Sequence, residues 1–216
     1  MVRILGWLTL LALGAGLVMA FGVAPREVTQ GNVQRIMYLH VPSAIIGEYL
    51  AFGILLLASI GYLATRSEAV DRVAHASAEV GVLFLAITIV SGSIWGKPTW
   101  GTWWTWDARL TTVTILFVIG LGYLLLRGMI EDAERAARYA AVVGIVAALN
   151  VPLVHFSVYW WRTLHQPPSL LKPGPASVSL SLLVALLINI AAFAILYAYF
   201  VTKRVNLLRR EAETLA

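Results

Sequence analysis

Histidines and tryptophans are the residues of this sequence whose types and spacing could do chemistry. His40, His155 and His165 lie near the ends of apolar segments, and a tryptophan-rich stretch, WGKPTWGTWWTWDAR (95–109), lies between the first of them and the other two. Neutral imidazole is the commonest protein ligand for metals, and aromatic faces can cover a flat apolar ligand. Gly96, Pro98 and Gly101 interrupt the stretch, which therefore predicts an irregular loop and not a helix or strand.

This combination predicts a haem site. Haem iron is often held by an axial histidine, and two histidines from separate loops could bind the iron from opposite faces. Cations near a semi-polar surface form charge-assisted hydrogen bonds with carboxylates, so Arg35, Lys97 and Arg109 are available for the propionates. The porphyrin would be covered by the tryptophans of the stretch, namely Trp95, Trp100, Trp103, Trp104 and Trp106.

Simpler interpretations stand beside this one. Aromatic belts form at any membrane interface, which accounts for Trp7, Trp160 and Trp161 but poorly for five tryptophans within twelve residues. His75 is best read as a simple hydrogen-bonding residue. His155 is open between an axial ligand, a partner of a ligand and a satisfied polar group, because its spacing does not decide.

Two carboxylates, Glu48 and Glu79, lie within apolar segments. Ionisable residues inside membrane helices are costly and are functional candidates by default. Each is also within about two turns of a segment end, where interface water can reach it. A structural role and a functional role therefore both remain open for these carboxylates.

Composition and apolar periodicity define the elements that must position these residues. The chain is 60% hydrophobic and 12% charged, against roughly 25% charged residues in soluble domains. A helix needs about 20 apolar residues to cross a bilayer. We expect an all-α integral membrane bundle forming one domain over 1–216, with six spans at about 4–22, 43–65, 74–94, 110–126, 139–154 and 178–201.

Several boundaries are predicted from single residues. Pro152 predicts that the fifth span kinks or ends there, with VHFSVYWW continuing at the interface. VQRIMYL (33–39) predicts a short amphipathic helix lying on the membrane, and Pro42 predicts a break before the second span. The first segment is longer than the apolar region of a signal peptide, so we expect a span there, although cleavage is the alternative.

Basic residues accumulate on the cytoplasmic side of membrane proteins. Ten lie on the side of the two termini and six on the other, which predicts cytoplasmic termini and an outer face formed by the loops 24–42, 95–109 and 155–177. The net charge of +5 does not indicate nucleic-acid binding, because the positive residues flank the apolar segments instead of forming one basic face. There is no cysteine, which excludes disulfides, thiolate metal sites and thioether bonds.

The run WGKPTWGTWWTWDARLT resembles the tryptophan-rich signature, often called the WWD motif, of the haem-handling proteins of cytochrome c biogenesis. YLHVPSA in the first outer loop and VYWWRTLHQ in the third resemble that family's histidine segments. The size and the six-span layout are similar to its CcmC branch. The resemblance extends from about residue 30 to the last span.

The resemblance implies a protein that binds b-type haem non-covalently at the outer face of the bacterial inner membrane and passes it to a membrane-anchored, CcmE-like haem chaperone. It implies that His40 and His165 are the axial ligands of the iron and that His155 is not. The stretch from Trp95 to Asp107 would form the haem platform and the chaperone docking surface. Further partners implied are an ATP-binding cassette pair (CcmA- and CcmB-like) and a small single-span, CcmD-like subunit.

The larger branches of the family, which ligate haem to apocytochrome, have extra spans and a large outer domain that this sequence lacks. We therefore expect delivery of haem and no enzymatic acid/base constellation. Two other classes of function remain as alternatives. One is a membrane transporter with a tryptophan-lined outer gate, although transporters usually carry interrupted helices or ionisable groups near the midplane. The other is an assembly subunit that does not contact haem.

Overall fold

The computed structural model describes residues 2–215 as a bundle of six helices, each long and apolar enough to span a membrane. This confirms the all-α, six-span expectation. The helices are α1 (Val2–Leu17, continuing as a π-helical turn Val18–Val23), α2 (Val33–Thr65), α3 (Glu68–Trp100), α4 (Ala108–Met129), α5 (Ala133–Trp160) and α6 (Leu180–Leu215). Within α2, a 3₁₀ turn (Val33–Ile36) precedes α-helix (Met37–Ala44), a π-helical turn (Ile45–Ala51) and α-helix again (Phe52–Thr65).

Local sequence explains where several helices begin and end. Asp107 and Asp132 precede α4 and α5, and each carboxylate accepts a hydrogen bond from a first-turn N–H, at 2.9 Å from Leu110 and 2.7 Å from Arg135. Such caps satisfy amides that have no partner within the helix. At the other end of α3, Gly101 adopts φ +80°, a left-handed conformation that suits glycine and stops the helix.

Three prolines do not break the chain where the sequence predicted. Pro42, Pro98 and Pro152 all lie inside helices. The segment 33–39 therefore forms the first turns of α2, and α5 continues to Trp160. A proline removes only one helical hydrogen bond. At Pro152, inside the fifth span, an irregular backbone in lipid would leave many more polar groups without partners, so the helix continues.

The prediction of a loop over the whole of 95–109 was also wrong. Residues 95–100 are the last turns of α3, and only 101–107 are non-helical. α3 has 33 residues, about 50 Å of helix at 1.5 Å per residue, which exceeds the roughly 30 Å hydrocarbon core. The helix therefore extends beyond the apolar layer with its tryptophans attached.

α2 and α3 pack against each other in the centre of the bundle, with α4 and α5 on one side and α1 and α6 on the other. Phe52, Leu55 and Leu116 belong to the buried cluster between α2 and the α4–α5 side. Phe84 and Phe193 belong to the cluster that joins α2 and α3 to α6. The two clusters fix the relative positions of the helices that carry the candidate site.

Ion pairs tie the helices together at the end of the bundle where both termini lie. Arg127 donates to both carboxylate oxygens of Asp71, at 2.7 and 2.6 Å. Arg204 donates to both oxygens of Glu79, and His75 Nε2 lies 3.2 Å from the same carboxylate. Glu79 therefore pairs with His75 and Arg204, and none of these three residues belongs to the predicted haem site.

The connections 24–32, 101–107 and 161–179 lie at the opposite end of the bundle, which we call the aromatic end. Trp95 Nε1 donates to Gln30 Oε1 at 2.8 Å, and Asp107 accepts a hydrogen bond from the backbone of Leu164. These contacts join the first connection to the end of α3 and the second connection to the third. The aromatic end corresponds to the face that the sequence predicts to be outward.

The close approach of α2 and α5 generates a first testable prediction. A Cβ at Gly144 would lie 2.7 Å from Ser59 Oγ and 3.1 Å from Leu55 Cδ1. We expect Gly144→Val to destabilise the protein by about 1–3 kcal/mol, the usual cost of overpacking. The matched control is Gly122→Val, because a Cβ at Gly122 meets nothing within 4 Å. Thermal unfolding in detergent, followed by circular dichroism, would contradict this packing if both variants melted at the same temperature.

Candidate functional site

His40 lies in the second turn of α2, where it faces α3. Its Nδ1 lies 3.1 Å from the carbonyl oxygen of Thr88 and 3.2 Å from Ser91 Oγ. A carbonyl can only accept, so Nδ1 carries the proton and Nε2 keeps its lone pair. A Cβ at Gly92 would lie 2.8 Å from His40 Cε1, so glycine at this position makes room for the ring. The helix–helix contact thus sets both the orientation and the tautomer of His40.

His165 lies in the connection between α5 and α6 and is partly buried. Its Nδ1 lies 2.8 Å from the carbonyl oxygen of Gln166, which again leaves the lone pair on Nε2. Burial, together with the positive charge of Arg109, lowers the pKa of His165, so the ring is neutral at pH 7. Trp100 packs edge-on against the ring, with 6.1 Å between centroids. Both histidines therefore have Nδ1 bound to a carbonyl oxygen and a lone pair on Nε2.

The two histidines line one cleft. It lies between α2, α3, the start of α4 and the third connection, and the space among its lining residues amounts to about 720 Å³, part of which is open to solvent. A neighbouring cleft of about 800 Å³ lies towards α6. Both clefts are lined by His40, Ala44, Trp95, Arg109, His165 and Gln166. The cleft therefore brings together His40 and His165, which lie on separate segments of the sequence.

The tryptophans of the stretch divide into two groups. Trp95, Trp100 and Trp104 line the cleft, whereas Trp103 and Trp106 are 57% and 74% exposed and line neither cleft. Trp95 contacts His40 edge-on, with 5.7 Å between ring centroids. The indole N–H of Trp104 is buried and has no hydrogen-bond partner in residues 2–215. A residue of the cleft wall therefore carries a buried donor that no described residue satisfies.

Asp107 connects the tryptophan stretch to the His165 connection. One carboxylate oxygen caps α4 at the N–H of Leu110, and the other accepts from the N–H of Leu164, both at 2.9 Å. Leu164 directly precedes His165. Asp107 lines neither cleft, so its position is that of a residue that holds His165 and not of one that touches a ligand.

The two arginines expected near propionates already have protein partners. Arg35 donates to the backbone carbonyls of Ala20 and Ala24 and lines neither cleft. Arg109 donates to Glu48 at 3.1 Å and to the carbonyl of Val154 at 2.6 Å, yet it lines both clefts. Lys97 is exposed and donates to the carbonyl of Gly101. Only Arg109 thus presents a cation to the cleft.

The structure gives the surroundings of His155 and Glu48, two residues whose roles the sequence left undecided. His155 lines neither cleft, and its Nδ1 lies 2.8 Å from the hydroxyl of Tyr49. Glu48 is 1% exposed, so the expectation that interface water reaches it was wrong: the π-helical turn of α2 takes its carboxylate inward to Arg109. Sequence reasoning did not find Gln30, Thr88 or Gly92 as parts of the site, because nothing in their local patterns marks them.

Within residues 2–215, no group of three or more His, Cys, Asp or Glu could hold a metal ion. A pair of imidazoles is too small a ligand set for the usual four-coordinate protein metal site. It suffices for a haem iron, because the porphyrin supplies the equatorial nitrogens and the protein adds only axial ligands. The buried Trp104 donor, the cation of Arg109 and the aromatic walls fit the same group.

The fold and the cleft define a class of protein: a multi-pass helical membrane protein with a cleft between its helix ends that two histidines line. The family model described as CcmC, Heme exporter protein C, matches residues 1–216, so this chain belongs to that family. The resemblance inferred from the tryptophan and histidine segments is therefore confirmed.

Individual relatives support this membership over most of their length. The chain is 41% identical to "Heme exporter protein C" of Bradyrhizobium diazoefficiens, over 99% of this chain and 82% of the relative. It is 40% identical to the protein of the same name from Haemophilus influenzae, over 96% and 85%. It is also 39% identical to a "Putative cytochrome c biosynthesis ccmC-like mitochondrial protein" of Marchantia polymorpha, over 82% and 75%.

The two hydrogen bonds of Asp107 generate a second prediction. We expect Asp107→Ala to release the third connection and to accelerate tryptic cleavage after Arg162, which lies in it. The matched control is Asp132→Ala, which removes the cap of α5 at the other end of the bundle and costs a similar 0.5–2 kcal/mol. It should lower the melting temperature without accelerating that cleavage. Equal cleavage rates in the two variants would show that Asp107 is only a helix cap.

Proposed function

We propose that this chain binds haem at the aromatic end of the bundle, with His40 and His165 as axial ligands, and delivers it to a membrane-anchored haem chaperone during cytochrome c maturation. The observation that carries the proposal is the pair of imidazoles. They come from different elements, each has Nδ1 tied to a carbonyl, and both line the same aromatic cleft. The names of the relatives, which state heme export, support the same cargo.

The haem in this proposal is b-type and is held without a covalent bond, because the chain has no cysteine for a thioether. It supplies its own four equatorial nitrogens. The protein residues do the rest: His40 and His165 each offer an Nε2 lone pair, and Trp95, Trp100 and Trp104 exclude water from the cleft. Arg109 and the indole N–H of Trp104 offer hydrogen bonds to carboxylates.

The exposed tryptophans supply the second half of the proposal. Trp103 and Trp106 are exposed and lie on either side of Trp104 in the sequence, which itself lines the cleft. Exposed tryptophan is enriched at binding hot spots. We assign this exposed pair to the CcmE-like chaperone, so that one stretch contacts haem with one set of tryptophans and the partner with the other. CcmA-, CcmB- and CcmD-like subunits complete the proposed complex in the bilayer.

The proposed orientation follows the charges. Arg66, Arg127 and the C-terminal cluster of α6 lie at the end opposite the aromatic end, and basic residues favour the cytoplasmic side. Both termini are then cytoplasmic. The three outer segments 24–42, 95–109 and 155–177 form the haem-handling face on the periplasmic side of the bacterial inner membrane.

A third prediction tests the axial assignment. We expect His40→Ala and His165→Ala each to lower the haem retained after purification about tenfold or more, because even losing an outer-shell partner weakens metal sites 10- to 100-fold. His75→Ala and His155→Ala are the matched controls and should retain haem. The readouts are the haem-to-protein ratio and the Soret band. Unchanged spectra in both single variants would overturn the assignment.

A fourth prediction separates the two groups of tryptophans. Trp104→Phe keeps an aromatic ring but loses the buried N–H, and we expect roughly tenfold weaker haem retention, consistent with about 1.5–3 kcal/mol for a hydrogen bond to a charged group. Trp106→Phe should retain haem. In co-purification with the chaperone, replacing both Trp103 and Trp106 by alanine should weaken the complex while haem stays bound. The division fails if Trp106→Phe loses haem as Trp104→Phe does.

A further inference from the structure

A buried ion pair lies in the wall of the cleft. Glu48 is 1% exposed and Arg109 is 13% exposed at its side chain, and their atoms approach to 3.1 Å. Both residues line the cleft that holds His40 and His165. Arg109 also donates to the carbonyl of Val154 at 2.6 Å, which fixes its guanidinium on the α5 side. The charges of this pair therefore have defined positions beside the ligand.

The backbone of α2 is shaped to bring Glu48 there. Glu48 lies in the π-helical turn Ile45–Ala51, and π-turns inside helices occur frequently at functional sites. A Cβ at Gly47 would lie 3.1 Å from the backbone nitrogen of Leu85, so glycine permits the close approach of α2 and α3. Gly47 directly precedes Glu48, so this close contact fixes the backbone next to the carboxylate-bearing residue.

Stability alone does not account for such a pair. Taking two charges out of water costs several kcal/mol each, and exchanging a whole buried pair for uncharged residues is often neutral or stabilising. Asp71 and Arg127 already connect α3 and α4 at the other end of the bundle, with both carboxylate oxygens engaged. The distinctive property of Glu48 and Arg109 is that their charges lie in a ligand cleft.

We propose that Glu48 is the counter-charge that sets the reduction potential of the bound iron, by offsetting Arg109 in the wall of the cleft. This proposal rests on the proposed function, and it adds an electrostatic role for Glu48, a carboxylate that contacts neither histidine. With two neutral imidazoles and the same porphyrin, the ferric state carries one positive charge more than the ferrous state. Arg109 alone disfavours the ferric state, and Glu48 cancels that effect.

The magnitude of this effect depends on burial. Fixed charges interact several times more strongly inside a protein than in water, because the effective dielectric constant is lower. Second-shell hydrogen bonds and burial are established means of tuning haem potentials. A pair that is nearly inaccessible to solvent therefore acts on the iron, whereas an exposed pair would be screened by water and salt.

The test is a charge cycle, measured by spectroelectrochemical titration of purified haem-loaded protein, with mediators supplying the electron. We expect Glu48→Gln to raise the midpoint potential and Arg109→Gln to lower it. The double variant should return towards the wild-type value, because both charges are gone. A purely structural role would move both single variants in the same direction or in neither, and that result would overturn the proposal.

Asp71→Asn is the matched control. It breaks an ion pair of similar burial, 13% and 14% exposed at the two side chains, at the far end of the bundle. We expect a lower melting temperature and an unchanged potential. A shift in this control as large as that of Glu48→Gln would show that loss of stability and not charge moves the potential.

Glu48→Gln leaves a buried arginine without its counter-charge, which is strongly destabilising and can prevent folding. In that case Arg109→Gln is compared with the double variant, since they differ only at Glu48: the double variant must have the higher potential. Wild-type protein that binds no haem would refute the proposed function itself. If the variants bind haem but their midpoint potentials equal that of the wild type, only the role of Glu48 is refuted.

Discussion

Two backbone carbonyls, those of Thr88 and Gln166, hold the imidazoles on which the site depends. Each accepts the Nδ1 proton of a histidine, at 3.1 Å for His40 and 2.8 Å for His165, and so leaves a lone pair on Nε2 of both rings. The first carbonyl belongs to a membrane helix and the second to a connection. The other contacts at the aromatic end hold these two carbonyls in fixed positions relative to each other.

Close helix packing provides the first support. Gly92 leaves room for the His40 ring against α3, and Gly47 lets the backbones of α2 and α3 approach. Interfaces rich in small residues are usual between membrane helices, where dispersion and hydrogen bonding must replace the hydrophobic driving force. The same close approach that stabilises the bundle therefore orients the ring of His40.

Side-chain hydrogen bonds provide the second support. Asp107 joins the start of α4 to the residue before His165, and Arg109, two residues later, joins Glu48 of α2 to Val154 of α5. The two residues of the WTWDAR segment thus act on different parts of the site. Asp107 positions the third connection, whereas Arg109 places a buried positive charge in the wall of the cleft.

The sequence by itself determined the helices, their number and the identity of the family. Apolar runs of bilayer length leave the backbone no alternative to helix in lipid, and the tryptophan and histidine segments are specific as motifs. It did not determine that α3 continues through Pro98 to Trp100. A proline in the sequence indicates the loss of one hydrogen bond, but whether the helix continues depends on the contacts of the whole helix.

Only the tertiary structure decided which tryptophans line the cleft, what Asp107 holds and where Glu48 finds its partner. Glu48 and Arg109 are 61 residues apart, and Asp107 and Leu164 are 57 apart. Such pairs depend on how the helices pack and on a π-helical turn that the residue pattern does not predict. Sequence spacing fixes the face of a helix, whereas the contact between two helices is fixed by the shapes that meet there.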